Sequence, residues 1–404
     1  MVEALHPGSF GSRFEEGESI MNKEKENISR RRTARIISVA SGLLFSAFSI
    51  TYLSIFQKDV MEALHYSLAH GKTVYAPWMS AVIITVVLLV LRWVLNGLTG
   101  LKGVVKGLSY FPSCLLLGVL TDVGHDVYHG GGIADVWAWK LPLVLVIYLV
   151  IAWLLGRAAR LWLNPEISDG FVVNSNLLAL LMLCFMTVSI GNDNIHFHHE
   201  LQVEEALRKQ EYERALEVAG KTMDPSRNLT ALRAYAMSRQ GMMGESIFRY
   251  PQLYGAAGLL MDTSNDKALR LNADSLSVYL GDKPVLGEPA LDFFRRICHE
   301  ETGNYTTLDY YLSALLLEKK LDEFVNEFDA LYIVRDSIPL YYNQALFLYA
   351  KMHDRSTEEI TNENLETLWE KYRTKQKELS GHRGEANWMR REFGDTYWWY
   401  YQYK

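Results

Sequence analysis

Pro77-Trp-Met-Ser-Ala-Val-Ile-Ile-Thr-Val-Val-Leu-Leu-Val-Leu-Arg-Trp-Val-Leu95 is the stretch on which the fold class turns. Arg92 is its only charged residue, and its length approaches the roughly 20 apolar residues that a helix needs to cross about 30 Å of hydrocarbon. Pro77 falls at the first helical turn, where a missing N–H costs nothing. Trp78 and Trp93 lie near its ends, as interface anchors do.

Working outward, four more runs have the same character: Ala34–Phe56, Leu108–Val123, Trp137–Leu155 and Phe171–Ile190. Trp137, Trp139 and Trp153 lie near the ends of the fourth. The third run is the weakest, being short and carrying Pro112, so two readings of it stand: a full crossing or a re-entrant segment. Lys and Arg collect on the cytoplasmic side of membrane proteins. Here Lys23, Lys25, Arg30, Arg31 and Arg32 precede the first run and Arg35 lies at its start, Lys102 and Lys106 follow the second, and Arg157 and Arg160 close the fourth. Arg92 is near enough to snorkel toward the second loop. The alternate loops hold only Lys58 and Lys72 in one case and Lys140 at the far edge in the other. Five spans with a cytoplasmic N-terminus follow, in an inner (plasma) membrane. Residues 1–33 are then a cytoplasmic polar/basic tail, 34–191 a five-helix transmembrane domain, and 192–404 a periplasmic or extracytoplasmic helical TPR-like domain. A re-entrant third run would reverse that parity.

Composition supports the division. Residues 1–191 hold 15 Lys+Arg against 13 Asp+Glu, and residues 192–404 hold 26 against 34, so the total of −6 divides into +2 and −8. An acidic soluble half argues against nucleic acid, whose recognition needs a basic footprint. Cys114 and Cys184 fall in apolar runs and Cys298 stands alone, so neither a disulfide framework nor a Cys/His zinc motif is expected. The first apolar run begins after a long polar tail and is too long for the core of a signal peptide. The lysine-rich stretch after Met21 makes that methionine an alternative start.

After Asn192 helical periodicity dominates. Glu200–Gln210 leads into Gln210-Glu-Tyr-Glu-Arg-Ala215-Leu-Glu-Val-Ala219 and then Asp224-Pro225. This resembles a tetratricopeptide repeat, in which paired helices close over a small residue, an aromatic fills the groove and proline stops the second helix. A second pair begins at Asn228, with Gly241 ending its first helix and Met243–Phe248 starting its partner. Ala268–Leu280 and Pro289–His299 form another. Thr306–Lys319 with Leu321–Val334 is one more, with Leu312, Leu315 and Leu316 facing Phe324, Phe328 and Leu331. Pro339 opens Tyr341–Met352, and Asn362–Leu379 is a further long helix. The expected fold class is therefore all-α: about five transmembrane helices followed by a degenerate TPR-like helical-pair domain, an α-solenoid. An irregular helical domain with one chance repeat match is the alternative.

Asn228-Leu-Thr-Ala-Leu-Arg, Ala236-Met-Ser-Arg-Gln-Gly241, Phe248-Arg-Tyr-Pro251-Gln-Leu-Tyr-Gly255 and Asp395-Thr-Tyr-Trp-Trp399 carry a further resemblance. Together they are similar to uncharacterised bacterial multi-spanning proteins with a tetratricopeptide-like tail, found in envelopes of the Bacteroides type. The resemblance covers most of residues 30–404. It implies architecture and no activity; the repeat family within it usually binds peptides or partner proteins on a concave face.

Two histidine-bearing clusters fall just outside the third and fifth runs: Asp122, His125, Asp126 and His129, and His196, His198, His199 and Glu200. Imidazole and carboxylate suit zinc or another divalent metal. The derived topology puts both at one membrane face, where a shared site is possible; a polar collar of helix caps is the plainer alternative. Gly130-Gly131-Gly132 lacks the lysine and hydroxyl residue of a phosphate loop and reads as a turn. Tyr397, Trp398 and Trp399 belong to an aromatic terminus that either grips a partner or caps the exposed end of the helical array. No nucleophile elbow or metalloprotease helix motif is present, and no cofactor is expected beyond a possible divalent metal. Charges deep in the spans are few, which disfavours a transporter. Two function classes remain. One is a membrane-anchored scaffold or adaptor binding a protein or peptide outside the cytoplasm. The other is a membrane enzyme acting on lipid or glycan through the His/Asp clusters.

Overall fold

Apolar composition dictates helices wherever water is absent, because a helix satisfies its own backbone polar groups. The computed structural model describes residues 34–124, 126–129, 132–162, 168–263, 269–300, 302–332, 338–356 and 363–404, besides Met21 and Arg32. The chain divides into two compact units, Met1–Asp193 and Asn194–Lys404. Among the described residues there is no β-strand, only an isolated bridge between Val123 and Ile133.

The first unit contains α1 (Ala34–Phe56), the short α2 (Lys58–Ala69) and α3 (Pro77–Thr99). A continuous helical segment, Gly103–Thr121, follows, and its second part is α4 (Phe111–Thr121). Then come α5 (Trp137–Trp162) and α6 (Asp169–Ile190). All except α2 contribute a helix long and apolar enough to cross a membrane.

The third of these differs from the weak run that the sequence suggests. It starts at Gly103 as a 3₁₀ helix of 8 residues and continues as 11 residues of α-helix. At about 2.0 and 1.5 Å per residue these rise roughly 32 Å, enough for the hydrocarbon thickness. Pro112 sits in the first turn of α4, so it interrupts no α-helical hydrogen bond. The segment looks weak because it is the most enclosed: 56% of its window is buried, against 17% for α3 and 11% for α5. Its 3₁₀ half is held by Asn176 of α6, whose amide accepts the Gly107 N–H and donates to Gly103 O at 2.9 Å. A side chain on Gly107 would stand 2.8 Å from the Asn176 carbonyl, so only glycine admits this approach. Ser113 Oγ donates to Leu88 O at 2.8 Å, Thr187 Oγ1 to Cys114 O at 3.0 Å and Tyr148 OH to Leu108 O at 3.0 Å. Arg92 turns toward this segment: Nε meets Ser109 Oγ at 3.2 Å and the guanidinium lies 4.2 Å over Tyr110.

The second unit runs through α7 (Ile195–Arg208), α8 (Tyr212–Glu217), α9 (Arg227–Gln240) and α10 (Met243–Ser246). It continues with α11 (Ala273–Leu280), α12 (Ala290–His299), α13 (Thr307–Leu317) and α14 (Leu321–Leu331). It ends with α15 (Leu340–Met352), α16 (Glu363–Leu379), α17 (Glu385–Phe393) and α18 (Tyr397–Tyr403). Three helix pairs share one turn. In α7/α8, α9/α10 and α13/α14 the linking residue is left-handed: Gln210 (φ 60°), Gly241 (φ 67°) and Lys319 (φ 58°). Each N–H reaches back three residues, to Leu207, Ser238 and Leu316, and the next N–H reaches Ala206, Met237 and Leu315. This is the Schellman closure. Leu312, Leu315 and Leu316 on α13 are buried, as are Phe324 and Phe328 on α14.

Details of the pairing shift from the sequence reading. The helix α8 stops at Glu217, well before Pro225, because Ala219 turns left-handed at φ 51° and its carbonyl is taken by Arg233. The helix α11 starts at Ala273, where Asn272 caps Ser275 N at 3.0 Å. Residues 333–337, expected to extend α14, lie outside the described residues.

Candidate functional site

Arg233 is where the most informative cavity begins. It is 2% exposed on α9, and its Nη2 donates to Val218 O at 3.0 Å and Ala219 O at 2.7 Å. That fixes the turn after α8 and so presents Lys221, Thr222 and Met223. The Arg233 guanidinium also lies 4.7 Å from the Tyr250 ring centre. Burial lowers its pKa to about 10, against an opposing pull from Tyr250. Tyr250 is in turn raised by burial, and Arg233 and Arg249 pull it down.

Tyr250 belongs to the extended piece that follows the 3₁₀ turn Ile247–Arg249. Gln252 closes this piece by donating to Ile247 O at 2.6 Å. The third wall comes from α17 and α18. Thr396 caps α18 by accepting from Trp399 N at 3.2 Å, and Trp399 Nε1 donates to Ala386 O at 3.1 Å. Arg390 lies 5.4 Å over Trp399 and touches Met223 Sδ at 3.5 Å.

These three segments, 220–223, 248–252 and 390–404, enclose a cavity of about 300 Å³. Its floor is aromatic, with Phe248, Trp399 and Tyr400 all buried. Lys221, Arg249, Arg390 and Lys404 bring cationic side chains to it, and Asp395 is the one carboxylate side chain among its lining residues. A second cavity of about 340 Å³ contrasts with it. There Lys283 pairs with Asp274, Arg296 beside it holds Asp282 and Glu288, and Arg227 donates to Ala257 O at 2.9 Å and Leu260 O at 3.2 Å, so the lining carries two cationic and two carboxylate side chains.

The sequence-predicted residues fall as follows. Asp122 accepts from Trp137 Nε1 at 2.6 Å and belongs to a polar knot at the helix ends of the first unit. In the same knot Tyr52 OH meets Thr121 Oγ1 at 3.0 Å, Gln57 Nε2 donates to Asn192 O at 2.8 Å, and Asn192 Nδ2 donates to Val123 O at 2.8 Å. Asp126 is exposed; His125 and the side chain of His129 lie outside the described residues, as do Gly130 and Gly131. In the second unit, His196 and His199 are half-buried and His198 is buried at the start of α7, whose cap Asn194 accepts from His196 N at 3.1 Å. Glu200 takes the Ser226 hydroxyl and, at 3.4 Å, Asn228 Nδ2, which ties α7 to the start of α9. Among the described residues no group of three or more His, Cys, Asp or Glu stands close enough to hold a metal ion.

Tyr397 and Trp398 are wholly packed. The Tyr397 N–H donates to Gln344 Oε1 and Trp398 Nε1 to Gln344 O, each at 2.8 Å, and Trp398 packs tilted against Phe347 and edge-on against Trp369 and Tyr372. Trp399 alone of the three reaches the cavity. Lys221, Arg249, Arg390 and Lys404 have no local spacing that would single them out. Their only sequence signal is the aromatic density of Tyr250 and of residues 397–400.

A protein family, "Family of unknown function (DUF6057)", matches residues 126–283 and 287–404, which is more than half of the chain and includes every residue that lines the cationic cavity. No curated protein and no solved structure matches the chain.

Proposed function

We propose that this chain, which belongs to that family of unknown function, is a membrane-anchored binding protein of the cell envelope. The five apolar helices hold it in the bilayer, the basic N-terminal tail faces the cytoplasm, and the second unit faces the other side. There it binds a protein or peptide partner, as scaffold or adaptor. The observation that carries this reading is the cavity between residues 220–223, 248–252 and 390–404. It combines a desolvated aromatic floor with charged groups at its edge, the composition that concentrates binding energy at interfaces.

A photo-crosslinking amino acid placed at Lys221 of the full-length protein, in cells, tests it. A discrete partner should be captured there and lost when Arg249→Glu is added, while the same probe at Lys283 beside the other cavity captures none. Equal capture at both positions, or none at Lys221, counts against the reading.

A further inference from the structure

We infer that this cavity takes an acidic peptide segment, with its carboxylates received by Lys221, Arg249, Arg390 and Lys404 and an apolar side chain resting on Trp399. The inference deepens the partner-binding reading and rests on it.

Charge is the first ground. Four cationic side chains and one carboxylate side chain line the cavity, although residues 192–404 carry 26 Lys+Arg against 34 Asp+Glu. A positive cluster on an acidic background is a local arrangement, and like charges gathered at one mouth repel one another until an anion enters. Arg390 spends its contacts on an indole face and a thioether, neither of which neutralises it.

The second ground lies one layer beneath. Arg233 is buried, donates to two carbonyls, lies against Tyr250 and has no hydrogen-bond partner for its Nε among the described residues. A buried cation without a carboxylate adds its field to the cavity above it, where the low dielectric makes it felt. The lining of the other cavity is balanced, with Arg227 and Lys283 against Asp274 and Glu288, and Arg296 beside it is held by Asp282 and Glu288.

Size decides the class of ligand. About 300 Å³ is at the lower end of ligand pockets and admits one or two side chains. A nucleic-acid backbone needs a long basic track, which an acidic unit opposes. A short acidic segment with one apolar residue fits both the charge and the aromatic floor.

Binding to the full-length protein in nanodiscs, followed by fluorescence anisotropy, tests the inference. The probe is a labelled short peptide of glutamates around one tryptophan, compared with its glutamine counterpart. The glutamate peptide should bind at least roughly tenfold more tightly, and added salt should shrink the difference. Lys221→Glu with Arg249→Glu should abolish the preference; both residues are exposed, and thermal unfolding checks that the fold survives. Lys221→Arg with Arg249→Lys should keep it, as should Lys283→Glu. Equal binding of both peptides overturns the acidic specificity and leaves the partner-binding reading standing. Binding of neither overturns both. Displacement by inorganic phosphate at concentrations where acetate has no effect assigns the cavity to phosphate and overturns the peptide.

Discussion

Glu204 sits on α7 one turn beyond Glu200, with its carboxyl turned from water and Oε1 accepting the Leu271 N–H at 2.6 Å. Desolvation raises its pKa from 4.5 to about 7, against the opposing pull of the Leu271 N–H, Arg270 and Arg208. The folded chain therefore keeps a proton that the unfolded chain releases above pH 4.5. The associated stability is fully present below 4.5 and is lost as pH rises through 7. At about 1.4 kcal/mol per pH unit, the loss across that window is roughly 3 kcal/mol. Glu204→Gln keeps an acceptor for Leu271 and removes the titration. Its thermal midpoint should fall less than that of the wild type between pH 4.5 and 7. Parallel loss in both proteins would place the pH dependence elsewhere.

At the scale of elements, the shared turns make a sharper test of the helix pairs than any count of helices. Gln210 and Lys319 adopt left-handed conformations in which a side chain costs about 1 kcal/mol, whereas Gly241 occupies the same place freely. Gln210→Gly should leave stability unchanged or raise it by up to about 1 kcal/mol, and Gly241→Ala should lower it by about the same amount. Denaturant midpoints measure both, and a stabilising Gly241→Ala would refute the shared geometry. The helix starts at Ala34, Pro77 and Trp137 were legible because composition alone governs a span in lipid. The start at Gly103 was not. Its 3₁₀ turns depend on Asn176, roughly seventy residues away, and no local window contains that partner. Asn176→Leu should remove both side-chain hydrogen bonds that hold the 3₁₀ turn inside the bundle, a cost of about 1–3 kcal/mol. Unfolding in detergent should show that loss, whereas Asn174→Leu, at an exposed site of the same helix, should cost far less. The cavity was hidden for the same reason: its walls come from three distant segments, and the residues that bring them together, Arg233 and Thr396, carry no motif.

For the whole molecule, orientation is the quantity on which the proposed function depends. Among the described residues, five helices long enough to cross give an odd parity, which puts the N-terminal tail and the second unit on opposite sides if each one crosses. The third segment is decisive, and its continuous helix with roughly 32 Å of rise removes the length argument for a re-entrant turn. Its charges point the same way. Lys102 and Lys106 sit at its Gly103 end, while Asp122 lies past its other end. A segment that turned back would bring both ends to one face and would place Arg157 and Arg160 opposite the basic tail, against the usual bias. Paired reporters fused after residues 106, 130 and 200, one active only in the cytoplasm and one only outside it, distinguish the cases. The cytoplasmic reporter should be active at 106 and the external one at both 130 and 200. A cytoplasmic signal at 200 would move the cationic cavity to the cytoplasmic face and, with it, the compartment in which an acidic partner is to be sought.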